Sequence, residues 1–136
     1  MSVYVDTHDA IHEAVKAFAT AQSITCAYPN AKFTAPRTAS GRDLAWMRLA
    51  FVDGSIAQEV IIAGNLPVYR AAFTLSFFVP YDSGTLSVAA MTQAAINYFP
   101  EGSDVGPATI ERAATVSAPS IEGWAQTNLT FYFRAE

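Results

Sequence analysis

The sequence holds a single cysteine, Cys26, and only two histidines, His8 and His12. One thiol excludes an intramolecular disulfide, and no CxxC or Cys/His spacing of a metal site occurs. Within Ile24-Thr25-Cys26-Ala27-Tyr28 the cysteine reads as a small core side chain rather than a nucleophile. Histidines four apart on a helix can share a metal. However, His8-Asp9-Ala10-Ile11-His12-Glu13 is not HExxH and no third ligand with a motif signature accompanies it. The pair reads as two polar residues flanking an apolar stripe. Glycines stand singly at turns, with no GxGxxG or GxxxxGK run to cradle a phosphate. No serine sits in a GxSxG elbow, and no histidine lies elsewhere to complete a triad. Glu101 and Asp104 read as solvated charges in a turn. No catalytic, metal or cofactor-binding residue emerges, so the chain is not expected to be an enzyme.

Charge is also scarce. Charged residues make up 15% and hydrophobic ones 51%, against a usual charged share of about 25%. Such a surface calls for cover by partner subunits. Eight basic residues face twelve acidic ones, for a net charge of −4, which argues against a protein that clings to nucleic acid through phosphates. The basic stretch Lys32, Arg37, Arg42 reads as a solvated loop. Phe73, Phe77, Phe131 and Phe133 alternate with polar residues as core does, without the interleaved Lys or Arg of a base-stacking sheet. The richest apolar run, from Ala71 to Pro80, is broken by Thr74 and Ser76 and is too short to span a bilayer. The start, Met1-Ser2-Val3-Tyr4-Val5-Asp6, lacks a signal peptide's basic and apolar regions. The expectation is a protein with no membrane partner, made in a reducing cytoplasm.

What is present is patterning. Ile11, Val15 and Phe18 recur at helical spacing, which predicts a helix from Asp6 or Thr7, either of which can cap it, to about Gln22. A short strand from Ile24 to Tyr28 and a loop through Pro29, Pro36 and Gly41 follow. Leu44 to Asp53 has two largely apolar alternating sets, as in an interior strand covered on both sides. Asp53-Gly54 signals a turn into a returning strand from Ala57 to Ile62. Gly64-Asn65 and Pro67 punctuate before the longest strand, Val68 to Val79. Its residues Tyr69, Ala71, Phe73, Leu75, Phe77 and Val79 face one way, and Arg70, Thr74 and Ser76 the other. Tyr81-Asp82-Ser83-Gly84 make a turn. Val88, Met91, Ala95 and Phe99 mark a second helix that Pro100-Glu101-Gly102 stops. Two strands close the chain, one with Ile110, Ala114 and Val116 on one side, the other with Leu129, Phe131 and Phe133 inward. The expected fold is α+β, a single mostly antiparallel sheet with two helices packed on it, in one domain over residues 1–136.

The order of these features resembles the tail terminator proteins of long-tailed bacteriophages, the siphophages in particular. The resemblance rests on the N-terminal amphipathic helix, the loop Tyr28-Pro29-Asn30-Ala31-Lys32-Phe33-Thr34-Ala35-Pro36, and Leu44-Ala45-Trp46-Met47-Arg48-Leu49 with its central arginine. Phe78-Val79-Pro80-Tyr81-Asp82-Ser83-Gly84, Phe99-Pro100-Glu101-Gly102 and Ile110-Glu111-Arg112-Ala113 followed by Gly123-Trp124 extend it over nearly the whole chain. It implies a virion subunit without catalysis: a homo-oligomeric ring, a hexamer, at the head-proximal end of the tail. One ring face would dock on the tail tube protein and end polymerisation, and the other would meet a neck or head-completion protein. A closed ring suits the charge-poor composition, and an acidic average suits a channel through which DNA passes without specific binding.

Candidate contacts lie where polar and apolar residues mix outside the strand periodicity. These are Lys32, Phe33, Arg37 and Arg42 in the first loop, Gln58, Glu59 and Asn65 in the hairpin region, and Arg70 on the long strand's polar face. The rival readings are another head–tail joining or minor tail protein, or a small-ligand-binding or enzymatic α+β domain with dispersed pocket residues.

Overall fold

A computed structural model describes residues 3–29, 45–61, 64–80, 85–121 and 124–135. Helix α1 (Val3–Ala21) is followed by strands β1 (Thr25–Ala27), β2 (Trp46–Ile61) and β3 (Gly64–Pro80). Helix α2 (Thr85–Tyr98) leads to β4 (Asp104–Val105), β5 (Ala108–Ile121) and β6 (Trp124–Ala135). The strands form one sheet in the order β1-β2-β3-β6-β5-β4. The sheet is mixed, which corrects the expectation of a mostly antiparallel one: β1 runs parallel to β2, and the other neighbours pair antiparallel. Residues 28–45 supply the long connection that a parallel pair needs and a tight turn cannot give. The loop through Pro36 and Gly41 and the turn from Tyr81 to Gly84 lie outside the described residues.

Both helices cover the same face of the sheet. From α1 come Ile11, Val15 and Phe18, and from α2 Ala95 with Phe99 just beyond it, all nearly solvent-free against Met47, Leu49, Phe73, Leu75, Phe131 and Phe133. The long strand's expected inward set is buried or half-buried as its period requires. Phe73, Phe99 and Phe131 form a triangle with centroids 5.0–5.5 Å apart. Tilted and edge-on pairs in it add about 0.5–1.5 kcal/mol each beyond area burial. Phe18 reaches Tyr98 at 5.3 Å and so ties the helices together.

Four local expectations are corrected. Helix α1 begins at Val3, so Asp6 lies in its first turn and Thr7 is inside the helix, fully buried, instead of capping it. Asp53-Gly54 does not turn the chain. Val52 pairs with Ala72 and Ser55 with Arg70, so two residues of β2 oppose one of β3 in a bulge, and the two strands stay paired out to Ile61 and Gly64. The left-handed freedom that suits Asp-Gly to a tight turn suits it equally to a bulge. A second bulge between Ile110 and Arg112 flips the alternation of β5. Ile110 is buried under the helices, whereas Val116 is 58% exposed on the opposite face. Finally, β2 is covered on one side only: Met47 and Leu49 are buried, but Val52 is 51% exposed.

Helix α1 ends in a Schellman-type cap. Ile24 N–H donates to Ala19 O at 2.9 Å and Ser23 N–H to Thr20 O at 3.1 Å, with Ser23 at φ 56°. Gly102 (φ 84°) and Gly106 (φ 57°) take the left-handed backbone around β4.

Candidate functional site

The hairpin of β2 and β3 outruns the rest of the sheet. Strand β1 pairs only with Trp46–Arg48 of β2, and β6 leaves β3 at Tyr69, opposite Ala135. Residues 57–61 and 64–68 therefore continue as a two-stranded arm that no other strand joins among the described residues. Pro67 is tolerated there because the outer side of β3 has no ladder to break. On the arm Gln58 stands opposite Pro67, Glu59 opposite Leu66, and Asn65 opposite Val60. Arg70 lies at its base, exposed, between Ser55 of β2 and Arg134 of β6. Four of the expected contact residues thus gather on one projection. Lys32, Phe33, Arg37 and Arg42 lie outside the described residues.

Sequence reasoning missed the face of the sheet opposite α1 and α2, which no helix covers among the described residues. Successive rows across β2, β3, β6 and β5 read Arg48–Ser76–Asn128–Val116, Ala50–Thr74–Thr130–Ala114 and Val52–Ala72–Tyr132–Arg112. Small side chains make its floor, and the hydroxyls of Thr74 and Thr130 hydrogen-bond across the strands at 3.0 Å. At one end Trp46 stacks on Phe78, with 4.0 Å between centroids and 11° between planes, while Trp124 meets Trp46 edge-on at 6.2 Å. The guanidinium of Arg48 sits 5.3 Å from the Phe78 ring centre and that of Arg112 4.1 Å from Tyr132. Such cation–π contacts hold each planar fork against a ring with its N–H edges outward. Only the register of four strands assembles these rows, so no local motif could have announced them. A groove of about 560 Å³ beside this face is lined by Ala27, Tyr28, Pro29, Trp46, Arg48 and Phe51, among others.

Each histidine of α1 meets its own aromatic partner. His8 stacks on Phe51 (4.0 Å, 17°), and its Nε2 lies 3.2 Å from the hydroxyl of Tyr69. His12 packs on Tyr28 at 4.6 Å. Burial pushes the Cys26 thiol up to about 11, outweighing a hydrogen bond with Tyr28 that acts the other way. Burial, together with the neighbouring Cys26, raises the Tyr28 phenol to about 12. A thiol held neutral in this way is a poor nucleophile. Among the described residues no group of three or more His, Cys, Asp or Glu side chains could hold a metal ion.

Nine chains of solved structures match this fold. One superposes with a TM-score of 0.67 over 95% of both chains at 15% identity, a likeness of fold alone. No curated protein matches the chain significantly. Residues 6–126 match the family model described as phage tail terminator protein, a span that includes all but the first three residues of α1, the bulges at Val52/Ser55 and Ile110/Arg112, and both strands of the β2–β3 arm. The chain belongs to the phage tail terminator family, a family of structural proteins of the bacteriophage tail.

Proposed function

We propose that the whole chain, residues 1–136, acts as one domain and as the subunit of a ring of six that caps the head-proximal end of a siphophage tail tube. One ring face docks on the last ring of tail tube protein and ends polymerisation. The other takes the neck or head-completion protein, and DNA passes through the channel without sequence readout. The projecting β2–β3 arm carries this reading. A lone two-stranded hairpin is only marginally stable in water, so an arm standing clear of its sheet is best accounted for by a neighbour that receives it. Gln58, Glu59 and Asn65 on the arm and Arg70 at its base are the proposed contacts, joined by Lys32, Phe33, Arg37 and Arg42 of the preceding loop.

The ring is tested by native mass spectrometry and negative-stain microscopy of the chain, alone and with its tail tube protein. The expected outcome is a closed six-fold species. Removing the arm's tip (residues 60–65) is expected to abolish it while the sheet's circular dichroism persists. Open filaments, or rings that form equally well without the arm, would count against the reading.

A further inference from the structure

Two long strands, β5 and β2, stand near the edges of the sheet with little beyond them. Strand β4 pairs only with Ala108 and Thr109 of β5. Next to it, Ile110 N–H donates to Ser103 O at 2.9 Å and Ile110 O accepts from Gly102 N–H at 2.7 Å, so Ile110 turns its backbone away from β6. This orientation alternates along an antiparallel ladder. The bulge sets Glu111 and Arg112 against Tyr132, so the next residues turned outward are Ala113, Thr115 and Ser117. At the other edge β1 covers only Trp46–Arg48 of β2. The same alternation, carried through Phe133 and Ala71 and across β3, turns the backbone of Ile56, Gln58 and Val60 outward. No strand pairs with either stretch among the described residues. Long open edges invite pairing, and proteins blunt them with charge, proline and bulges. On β5 these devices stand at the two ends: the bulge with Glu111 and Arg112 at one, Pro119 at the other. Between them Ala113-Ala114-Thr115-Val116-Ser117-Ala118 carries no charge, and Ala113, Thr115 and Val116 are exposed.

We infer that the open edge of β5 takes the outer edge of β2 from a second copy of this chain, so that one sheet continues from subunit to subunit. This inference rests on the ring reading and names where the arm is received. Recognition is by main-chain hydrogen bonds, as in strand addition. Strand direction supports the choice of occupant. It reverses at each step from β2 through β3 and β6 to β5. A copy that repeats this order in the same sense therefore sets its β2 antiparallel to β5, and the alternation runs on unbroken. The short strands agree. Strand β4 blocks the start of β5 and β1 the start of β2. Antiparallel pairing puts these blocks off opposite ends of the contact, whereas parallel pairing would drive them together. Finally, the contact is heterologous, as ring closure requires, and it covers both open edges of every subunit. A two-fold pairing of β5 with β5 would leave the edge of β2 bare.

The experiment uses the full chain, alone and with its tail tube protein. Thr115→Pro removes one outward N–H and breaks no bond between β5 and β6, so circular dichroism is expected to match the wild type. Its rings, read by native mass spectrometry, should need a concentration more than about tenfold higher. Thr115→Val keeps the N–H and should assemble like the wild type. A second readout avoids proline. In a Cys26→Ala background, a Thr115→Cys chain is oxidised together with an Ile56→Cys, Gln58→Cys or Val60→Cys chain. One of these mixtures should give cross-linked dimers, because directly opposed strand residues lie within disulfide reach, and Thr115→Cys alone should give none. The contact is overturned if Thr115→Pro assembles like the wild type, if Thr115→Val fails as Thr115→Pro does, or if no mixture cross-links. It is equally overturned if Thr115→Cys cross-links to itself, which would mark a two-fold β5 pair. In each of these cases rings of the wild type leave the ring reading standing. A wild type that forms no ring, alone or with tube protein, overturns both.

Discussion

Gly106 lies directly against Ala10 of α1, so close that a side chain at position 106 would collide with the Cβ of Ala10. It also holds φ at 57°. The turn between β4 and β5 and the side of the helix can thus meet only because this residue has no Cβ. Gly102, at φ 84°, faces open space instead. Gly102→Ala is expected to cost about 1–2 kcal/mol of backbone strain. Gly106→Ala adds displacement of the helix and is expected to cost at least about 1–3 kcal/mol more. Chemical denaturation of the two variants should separate them in that order, and equal losses would contradict the contact.

Thr7 is fully buried on α1 and its hydroxyl has no hydrogen-bond partner. Valine has the same shape without the unsatisfied donor. Thr7→Val is therefore expected to stabilise the fold by about 1–2 kcal/mol, read as a raised denaturation midpoint with an unchanged slope. A destabilised variant would mean that the hydroxyl has a partner after all.

The raised thiol of Cys26 gives a pH signature. Its folded value of about 11 stands above the ordinary 9.0. Below pH 9 folded and unfolded chains both keep the proton, so the group contributes nothing to pH dependence there. Between about 9 and 11 only the unfolded chain releases it, so stability falls as pH rises through that window. Cys26→Ala should flatten that fall. Alkylation of the folded protein should be slow at pH 8 and accelerate up to about pH 11. Fast labelling at neutral pH would show that the thiol is not buried as described.

Much of the fold was legible because burial on one side leaves a period. The stripe Ile11, Val15, Phe18 and the alternation from Tyr69 to Val79 each place a single element against the core, and both stand where their periods put them. The failures are the points where one residue changes the phase. Asp53-Gly54 has the same composition in a bulge as in a turn, and the extra residue between Ile110 and Arg112 moved Val116 to the open face. Capping at Thr7 failed because helix formation continues back to Val3 without a strong local signal. For the proposed contacts, the mixed polarity of Gln58, Glu59 and Asn65 is visible in the sequence, whereas their place on the stretch of hairpin that no other described strand joins follows only from the sheet register. The arginine face could not be read, since Arg48 and Arg112 lie on strands distant in sequence and share a surface only through β3 and β6.

The central claim, that this subunit ends the growth of a tail tube, is tested most directly by tube length. Purified chain is added in increasing amounts to polymerising tail tube protein from the same phage, and tube lengths are measured by electron microscopy. The account predicts shorter tubes as the ratio rises, each with added density at one end only. Tubes of unchanged length, or subunits bound along their sides, would contradict it.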